Sequence, residues 1–220
     1  MADWQPIPVT FRGFMHWQLL TYFGDSMLLL PSAVVLAFAL LYNTSRLAPV
    51  LYWLVSFGTA GLVASISKVL FLGFLIGSAR YNFTGFSGHT TMSTTFWPIF
   101  FWFIARGFSF KRPLLWVALG YLFALTIAYS RLVLHAHSPS EVICGFLLGC
   151  CCSLFFLAMQ RKVAFKPVNL IELLLIVALP LFLVFQGKPA TTQHFLGTLA
   201  AKLAGMEQPH TRQQLLSLGR

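Results

Sequence analysis

The stretch from Val50 to Ile76 reads VLYWLVSFGTAGLVASISKVLFLGFLI, and Lys68 is its single charged residue. About 20 apolar residues are enough for a helix to cross the hydrocarbon core of a bilayer. The run is therefore too long for an untilted crossing, and two arrangements accommodate the excess. Either the Lys68 side chain reaches the outer membrane–water interface, or the chain breaks near Gly73 and folds back.

Similar apolar runs recur along the chain. Hydrophobic residues make up 58% of the 220 residues and charged residues 9%, and the mean hydropathy is +0.78. This composition is typical of integral membrane proteins. The apolar runs lie at 26–42, 50–76, 89–105, 113–129, 141–159 and 168–186. They predict an all-α, polytopic membrane protein with about six transmembrane helices.

Two segments flank these runs. Residues 1–25 carry aromatic side chains among polar residues, which predicts an N-terminal segment that lies in the membrane interface. We therefore divide the chain into this segment, a six-span domain at 26–186 and a polar C-terminal tail at 187–220. The tail contains two short apolar-periodic stretches, and nothing in its sequence indicates a role.

Basic residues occur in short links between the runs, and the formal net charge is +10. The links at 43–49, 106–112 and 160–167 all carry Lys or Arg. This distribution is typical of topology signals rather than of a nucleic-acid surface, so no nucleic-acid partner is predicted. The positive-inside rule assigns these links to the cytoplasm. The other ends of the runs then face the periplasm of a bacterial inner membrane.

Four cysteines, Cys144 and Cys150–Cys152, lie within one apolar run. Their spacing matches no metal site, and a disulfide framework is not expected inside a membrane span. We interpret them as small packing residues, and the sequence predicts no metal site.

Two polar strings interrupt the apolar runs: FSGH at 86–89 and SRLVLHAHSPSE at 130–141. Such clusters are costly beside lipid, so they mark a candidate functional site. Ser87, Gly88 and His89 adjoin the start of a predicted helix, where free backbone N–H groups attract anions such as phosphate. The simpler interpretation is that Ser87 only caps the helix.

The second string combines an arginine, two histidines and a capping box. Arg131 can present its planar fork to phosphate oxygens. Glu141 follows Ser138 by three residues, which is the spacing of a capping box. The carboxylate of Glu141 therefore either caps the helix or holds His137 in the tautomer that nucleophilic attack requires. His135 is the competing histidine.

The two polar strings resemble the motifs of a known family. Ser87-Gly88-His89, followed by Ser130-Arg131, five residues, His137, three residues and an acidic residue, resembles two signature motifs of the type 2 phosphatidic-acid phosphatase superfamily. Those motifs have the forms PSGH and SRxxxxxHxxxD. The superfamily includes membrane lipid phosphatases, bacterial undecaprenyl-diphosphate and lipid A phosphatases, glucose-6-phosphatases and soluble vanadium haloperoxidases.

The resemblance implies a role for each matching residue. His137, rather than His135, attacks phosphorus and forms a phosphohistidine. His89 protonates the leaving oxygen and then activates water, while Glu141 orients His137. Arg131, with Ser87 and Gly88, holds the phosphate. No metal or other cofactor is implied, because cations and helix ends can stabilise the charge of the transition state.

The sequence departs from the family pattern in three places. Phe86 replaces the usual Pro, and Glu141 replaces the usual Asp. The first motif, KxxxxxxRP, is not intact. If Lys68 is its lysine, the arginine should follow seven residues later, and that position is Leu75. Lys68 and Arg80 are the cations available nearby, and we carry both over as expected phosphate ligands.

The resemblance thus implies an integral-membrane phosphatase that hydrolyses a lipid phosphate or diphosphate through a phosphohistidine at the periplasmic face. Its expected partners are a membrane lipid phosphate and the bilayer, and the oligomeric state stays open. Isoprenoid diphosphates, phosphatidylglycerol phosphate, phosphatidate and lipid A are all compatible substrates. Two alternatives remain: a lipid phosphotransferase with the same site, and a non-catalytic membrane binding or transport protein with a decayed site.

Overall fold

The computed structural model describes residues 11–160, 163–169, 172–174, 176–178, 182 and 191–219. The described part of the chain forms eight named helices and no β-strand, which confirms the all-α prediction. The helices are α1 (Phe11–Tyr22), α2 (Ser26–Thr44), α3 (Leu47–Phe74), α4 (Gly88–Gly107), α5 (Pro113–Val133), α6 (Pro139–Met159), α7 (Thr192–Leu203) and α8 (Arg212–Ser217).

Four segments among the described residues are long and apolar enough to cross a membrane: His16–Thr44, Leu47–Phe74, Pro113–Val133 and Pro139–Met159. The predicted count of about six spans is not confirmed. The run predicted at 89–105 forms α4, but its Ser- and Thr-rich first half makes it less apolar than these four segments. Most of the predicted sixth run, 168–186, lies outside the described residues.

The predicted interfacial segment at 1–25 is not confirmed either. Its first ten residues lie outside the described chain. The first apolar segment begins at His16 and so includes the second half of the predicted segment. Helix α1 packs against α5, where the Trp17 ring meets the Tyr129 ring edge-on at 5.5 Å.

Helix α4 is the centre of the bundle and packs against α2, α3, α5 and α6. Most of its residues are buried, including Thr91, Ser93 and Thr95. The Ser93 hydroxyl donates to the His89 carbonyl at 2.6 Å, and that of Thr95 donates to the Thr91 carbonyl at 2.9 Å. These hydroxyls are satisfied inside their own helix, so a polar helix can occupy the core.

Small residues allow α6 to approach α4 closely. Gly145 and Gly149 lie one turn apart on α6, a spacing that favours close helix packing in membranes. A Cβ atom at Gly149 would lie 2.6 Å from the Cβ of Thr94 and 2.7 Å from the carbonyl oxygen of Thr91.

The neighbouring Cys152 is buried in the hydrophobic core, and all four cysteines are free thiols.

The three basic links meet at one end of the bundle. The Lys166 N–H donates to the Asn43 carbonyl at 2.9 Å, and the Arg106 side chain donates to the Val163 carbonyl at 3.0 Å. The Val168 N–H donates to the carbonyl of Gly107 at 2.9 Å. The helices alternate in direction, so the starts of α2, α4 and α6 and the ends of α3 and α5 lie at the opposite end.

Helix α3 ends at Phe74, one residue beyond Gly73, because Leu75 adopts a left-handed conformation with φ 56°. The N–H groups of Leu75 and Ile76 donate to carbonyls of the last turn at 2.9 and 3.2 Å, which closes the helix end. The chain therefore breaks near Gly73 and folds back, which is the second of the two arrangements that the long apolar run allows. Lys68 lies inside α3, and the segment 75–87 returns across the end of the bundle.

Residues 191–219 also pack at this end of the bundle. Helix α7 lies against α3, where a Cβ atom on Gly73 would be 2.9 Å from the carbonyl oxygen of Ala200. The His210 N–H donates to the Leu72 carbonyl at 2.8 Å, and Leu215 of α8 is fully buried. The described part of the predicted polar tail is thus a packed element of the fold.

Candidate active site

A cavity of about 390 Å³ opens among the helix ends opposite the basic links. Five residues predicted from the sequence line it: Lys68, Gly88, His89, Arg131 and His137. They come from α3, α4, α5 and the link before α6, so the fold brings together the two polar strings and the lysine. The rest of the wall is mainly apolar or small.

His137 is paired with a buried carboxylate. Its Nδ1 atom lies 2.7 Å from Oε2 of Glu141, and the Glu141 side chain is fully buried. A carboxylate oxygen accepts hydrogen bonds, so Nδ1 carries the proton and Nε2 keeps a lone pair. Burial lowers the pKa of His137 to about 4, although the hydrogen bond to Glu141 acts in the opposite direction. The ring is therefore neutral at physiological pH, as a nucleophile must be.

Further hydrogen bonds hold Glu141 in place. Its Oε1 atom accepts from the Thr84 N–H at 2.7 Å and from the Thr84 hydroxyl, and its Oε2 atom accepts from the Ser138 N–H at 3.3 Å. The bond to Ser138 belongs to a complete capping box at the start of α6. The two interpretations of Glu141 are thus compatible, because one carboxylate both caps the helix and binds His137.

His89 has an acidic neighbour that the sequence analysis did not include. Its Nε2 atom lies 3.6 Å from Oδ2 of Asp25. Asp25 caps α2, and its other oxygen accepts from the Met27 N–H at 2.8 Å. An aspartate just before an apolar run is a signal for a helix N-cap. That signal identifies the cap but not the histidine that the fold brings to it.

Arg131 occupies the last turn of α5 and lines the cavity. Its guanidinium donates to the Thr21 hydroxyl at 2.7 Å, which fixes the side chain against α1. Lys68 lines the same cavity from α3. Together they provide two cationic side chains in a wall that also contains both predicted catalytic histidines.

Ser87 and Gly88 differ in their access to the cavity. Gly88 lines it, and a Cβ atom there would meet nothing within 4 Å. Ser87 is buried and occupies the N-cap position of α4, but its side chain forms no capping hydrogen bond. Its hydroxyl accepts from Thr90 at 2.9 Å, and its N–H donates to the Glu141 carbonyl at 3.1 Å. Ser87 therefore occupies the cap position without a side-chain capping hydrogen bond, and its role as a phosphate ligand stays a prediction.

The structure does not bring Arg80 or His135 to the cavity. Arg80 is exposed, and its guanidinium lies over the Tyr81 ring at 5.5 Å from the centroid. Its role as a phosphate ligand stays a prediction. His135 is exposed in the link between α5 and α6 and does not line the cavity, whereas His137 does.

Arg212 is a site residue that the sequence analysis missed. Its Nη2 atom lies 2.9 Å from each oxygen of Glu141, and its Nη1 atom donates to Oδ1 of Asn82 at 2.7 Å. No motif marks Arg212, because it contacts the site from a segment distant in sequence. Within the described chain, no group of three or more His, Cys, Asp or Glu side chains is arranged to hold a metal ion.

The fold and the site define a helical membrane protein with a histidine–carboxylate pair in a cation-lined cavity. The family model of the PAP2 superfamily, the type 2 phosphatidic-acid phosphatases, matches residues 49–165, and the chain belongs to this superfamily. Members are generally phosphatases. The chain is 42% identical over 205 residues to a Klebsiella pneumoniae protein described as "Uncharacterized 22.5 kDa protein in cps region". That match covers 91% of this chain and 98% of the relative. No solved structure matches the chain.

Proposed function

We propose that this protein is an integral-membrane phosphatase that hydrolyses a lipid phosphate or diphosphate monoester through a phosphohistidine on His137. One observation carries the proposal. Buried Glu141 binds Nδ1 of His137 at 2.7 Å, while His137 shares a cavity with His89, Arg131 and Lys68. This arrangement supplies a nucleophile in the required tautomer, a second histidine for proton transfer and two cations for phosphate oxygens.

The reaction proceeds in two displacements. In the first, Nε2 of His137 attacks phosphorus, the bond to the leaving oxygen breaks, and His89 gives that oxygen a proton. In the second, water attacks phosphorus, His89 takes a proton from the water, and the nitrogen–phosphorus bond breaks to release inorganic phosphate. Burial lowers the pKa of His89, and the carboxylate of Asp25, 3.6 Å away, acts in the opposite direction by favouring the protonated histidine that begins the reaction.

Cationic and helix-end groups stabilise the charge of the transition state. Arg131 and Lys68 line the cavity, and the first turn of α4 reaches it at Gly88. Preorganised donors of this kind contribute most where water is excluded. This set needs no metal ion, so we expect turnover to persist in excess EDTA.

The shape of the cavity supports a lipid substrate. Leu30, Phe57 and Gly58 line both this cavity and an adjoining apolar groove of about 350 Å³ between α2 and α3. The groove continues past Phe38, whose side chain is 69% exposed, and Leu54, which is 54% exposed. An alkyl or isoprenoid chain can therefore lie in the groove while its phosphate occupies the polar end.

We assign the cavity to the periplasmic side of a bacterial inner membrane. The three basic links lie at the end of the bundle opposite the cavity, and the positive-inside rule favours the cytoplasm for them. Single cysteines at the exposed positions Ala136 and Ser109 test this assignment in a variant that lacks the native cysteines. A membrane-impermeant thiol reagent should label position 136 in intact cells and spare position 109. The reverse pattern would refute the assignment.

A substrate panel tests the activity. Purified protein in detergent is assayed for phosphate release from phosphatidate, phosphatidylglycerol phosphate, undecaprenyl diphosphate and lipid A 1-diphosphate. We expect release from at least one of them, loss of release in His137→Ala, and most of the activity to remain in the matched control His135→Ala. Release from none would refute the proposal. Transfer of labelled phosphate to an added lipid without release would identify a phosphotransferase.

A further inference from the structure

Arg212 lies outside the range 49–165 matched by the superfamily model, yet it contacts the carboxylate beside the proposed nucleophile. Its Nη2 atom lies 2.9 Å from both Oε1 and Oε2 of Glu141 and 3.3 Å from the Thr84 hydroxyl. Its Nη1 atom donates to Oδ1 of Asn82 at 2.7 Å and to the Asn82 carbonyl at 3.2 Å. The guanidinium plane is thus fixed from both sides.

The charge of Glu141 makes this contact important. The carboxylate is fully buried, and a buried charge is costly unless an opposite charge and hydrogen bonds compensate it. His137 is neutral and cannot compensate that charge. Arg212 forms an ion pair with Glu141 through a side chain that remains 32% exposed, so its own desolvation is only partial.

The segment that carries Arg212 is anchored to the bundle. Leu215, one turn further along α8, is fully buried, and a Cβ atom on Gly77 would lie 3.0 Å from its side chain. The Thr211 hydroxyl caps α8 by accepting from the Gln214 N–H at 3.4 Å. These contacts keep Arg212 against Glu141 without using the cavity wall, which Arg212 does not line.

We propose that Arg212 is a positioning residue, which holds the Glu141 carboxylate so that His137 presents Nε2 to phosphorus. The proposal rests on the proposed phosphatase function. Because Arg212 acts through Glu141 and does not line the cavity, its loss should lower kcat and leave KM nearly unchanged. A direct phosphate ligand would instead raise KM.

The test compares Arg212→Ala and Arg212→Lys with Lys202→Ala, which removes an exposed cation from the same C-terminal segment. We expect Arg212→Ala to lower kcat about 10- to 100-fold, as loss of a charged hydrogen-bond partner does. KM should stay within about threefold. Arg212→Lys should recover part of kcat, because it keeps the charge but not the fork. The control should match the wild type.

A double-mutant cycle separates positioning from general stabilisation. In a Glu141→Gln background no buried carboxylate remains to be held, so adding Arg212→Ala should cost less than about threefold in kcat. An undiminished loss in that background would overturn the proposal. So would a wild-type kcat in Arg212→Ala, or a loss confined to KM.

Ligand binding provides a readout that does not need turnover. Orthovanadate takes the five-coordinate geometry of the transition state when a nucleophile occupies one axial position, whereas inorganic phosphate does not. Arg212→Ala should therefore weaken vanadate binding about tenfold or more, measured by thermal shift, and leave phosphate binding unchanged. If the wild type binds vanadate but hydrolyses no substrate, the proposed function fails while this comparison still decides the role of Arg212. Unchanged vanadate binding in Arg212→Ala would overturn that role, and no vanadate binding by the wild type would overturn both proposals.

Discussion

Replacing Glu141 with Gln keeps the shape of the side chain but gives it one acceptor and one donor group. In the wild type, the Glu141 carboxylate accepts from the Thr84 N–H at 2.7 Å on one oxygen and from Nδ1 of His137 at 2.7 Å on the other. Arg212 donates to both oxygens at 2.9 Å. Either orientation of the amide therefore brings its NH₂ group against at least one other donor.

Each orientation has a calculable consequence. If the NH₂ group faces His137, the imidazole must accept at Nδ1 and carry its proton on Nε2, the atom that attacks phosphorus. A histidine held in the wrong tautomer costs about 10⁴-fold in rate in the serine-protease triad. If the NH₂ group faces Thr84, two buried donors oppose each other, which costs about 1–3 kcal/mol of stability. We expect kcat to fall about 10³- to 10⁴-fold and stability by about 1–3 kcal/mol.

The assay measures kcat and KM on the best lipid substrate, together with thermal unfolding in detergent. Two variants serve as controls. Glu141→Asp keeps the charge and should stay within about 100-fold of wild-type kcat. Ser138→Ala removes the hydroxyl that accepts from the Glu141 N–H at 3.4 Å. It should cost about 1 kcal/mol of stability with kcat nearly unchanged. A kcat within tenfold of the wild type in Glu141→Gln would refute the reasoning and reduce Glu141 to a helix cap.

Three further predictions follow from the site and the packing. His89→Ala should slow hydrolysis of the lipid substrate by about 10²- to 10⁴-fold. It should slow hydrolysis of an aryl phosphate much less, because that substrate has a good leaving group. Equal losses on the two substrates would argue against proton donation by His89. Because the His137 pKa is lowered to about 4, its contribution to stability is complete above about pH 6.5 and is lost as the pH falls toward 4. Thermal unfolding from pH 7 to 4 should show this loss in the wild type and less of it in His137→Gln. Gly149→Ala crowds Thr94 at 2.6 Å and should cost about 1–3 kcal/mol, whereas Gly58→Ala, with nothing within 4 Å, should not destabilise the fold.

The sequence predicts the parts of this protein that depend on local pattern. Apolar runs predict the approximate positions of α2 to α6. The resemblance to the family motif implies His137 rather than His135 as the nucleophile, and His137 lines the cavity while His135 does not. The capping-box spacing predicts Ser138 as the N-cap of α6. In each case the informative residues lie within a few turns of one another.

The parts that the sequence does not predict depend on contacts between distant segments. Asp25 meets His89 only because the start of α2 packs beside the start of α4, and Arg212 meets Glu141 only because α8 docks at the same end. The apolar run at 89–105 predicts one more membrane span. The structure shows a buried central helix, in which the hydroxyls of Ser93 and Thr95 bond to the backbone of their own helix.

Two departures from the family motifs have a structural explanation. Phe86 stands where the motif has Pro, and its N–H donates at 3.0 Å to the Ser67 hydroxyl on α3. A proline has no N–H and could not form this bond. The bond joins the start of α4 to the turn of α3 that carries Lys68, so two walls of the cavity are tied together at one point. Glu141 is one methylene longer than the usual Asp, and its carboxylate is shared by the α6 cap, His137 and Arg212. Glu141, the altered residue of the motif, and Arg212, which lies outside the range matched by the family model, therefore belong to one hydrogen-bonded arrangement. Such an arrangement favours a working site over a decayed one.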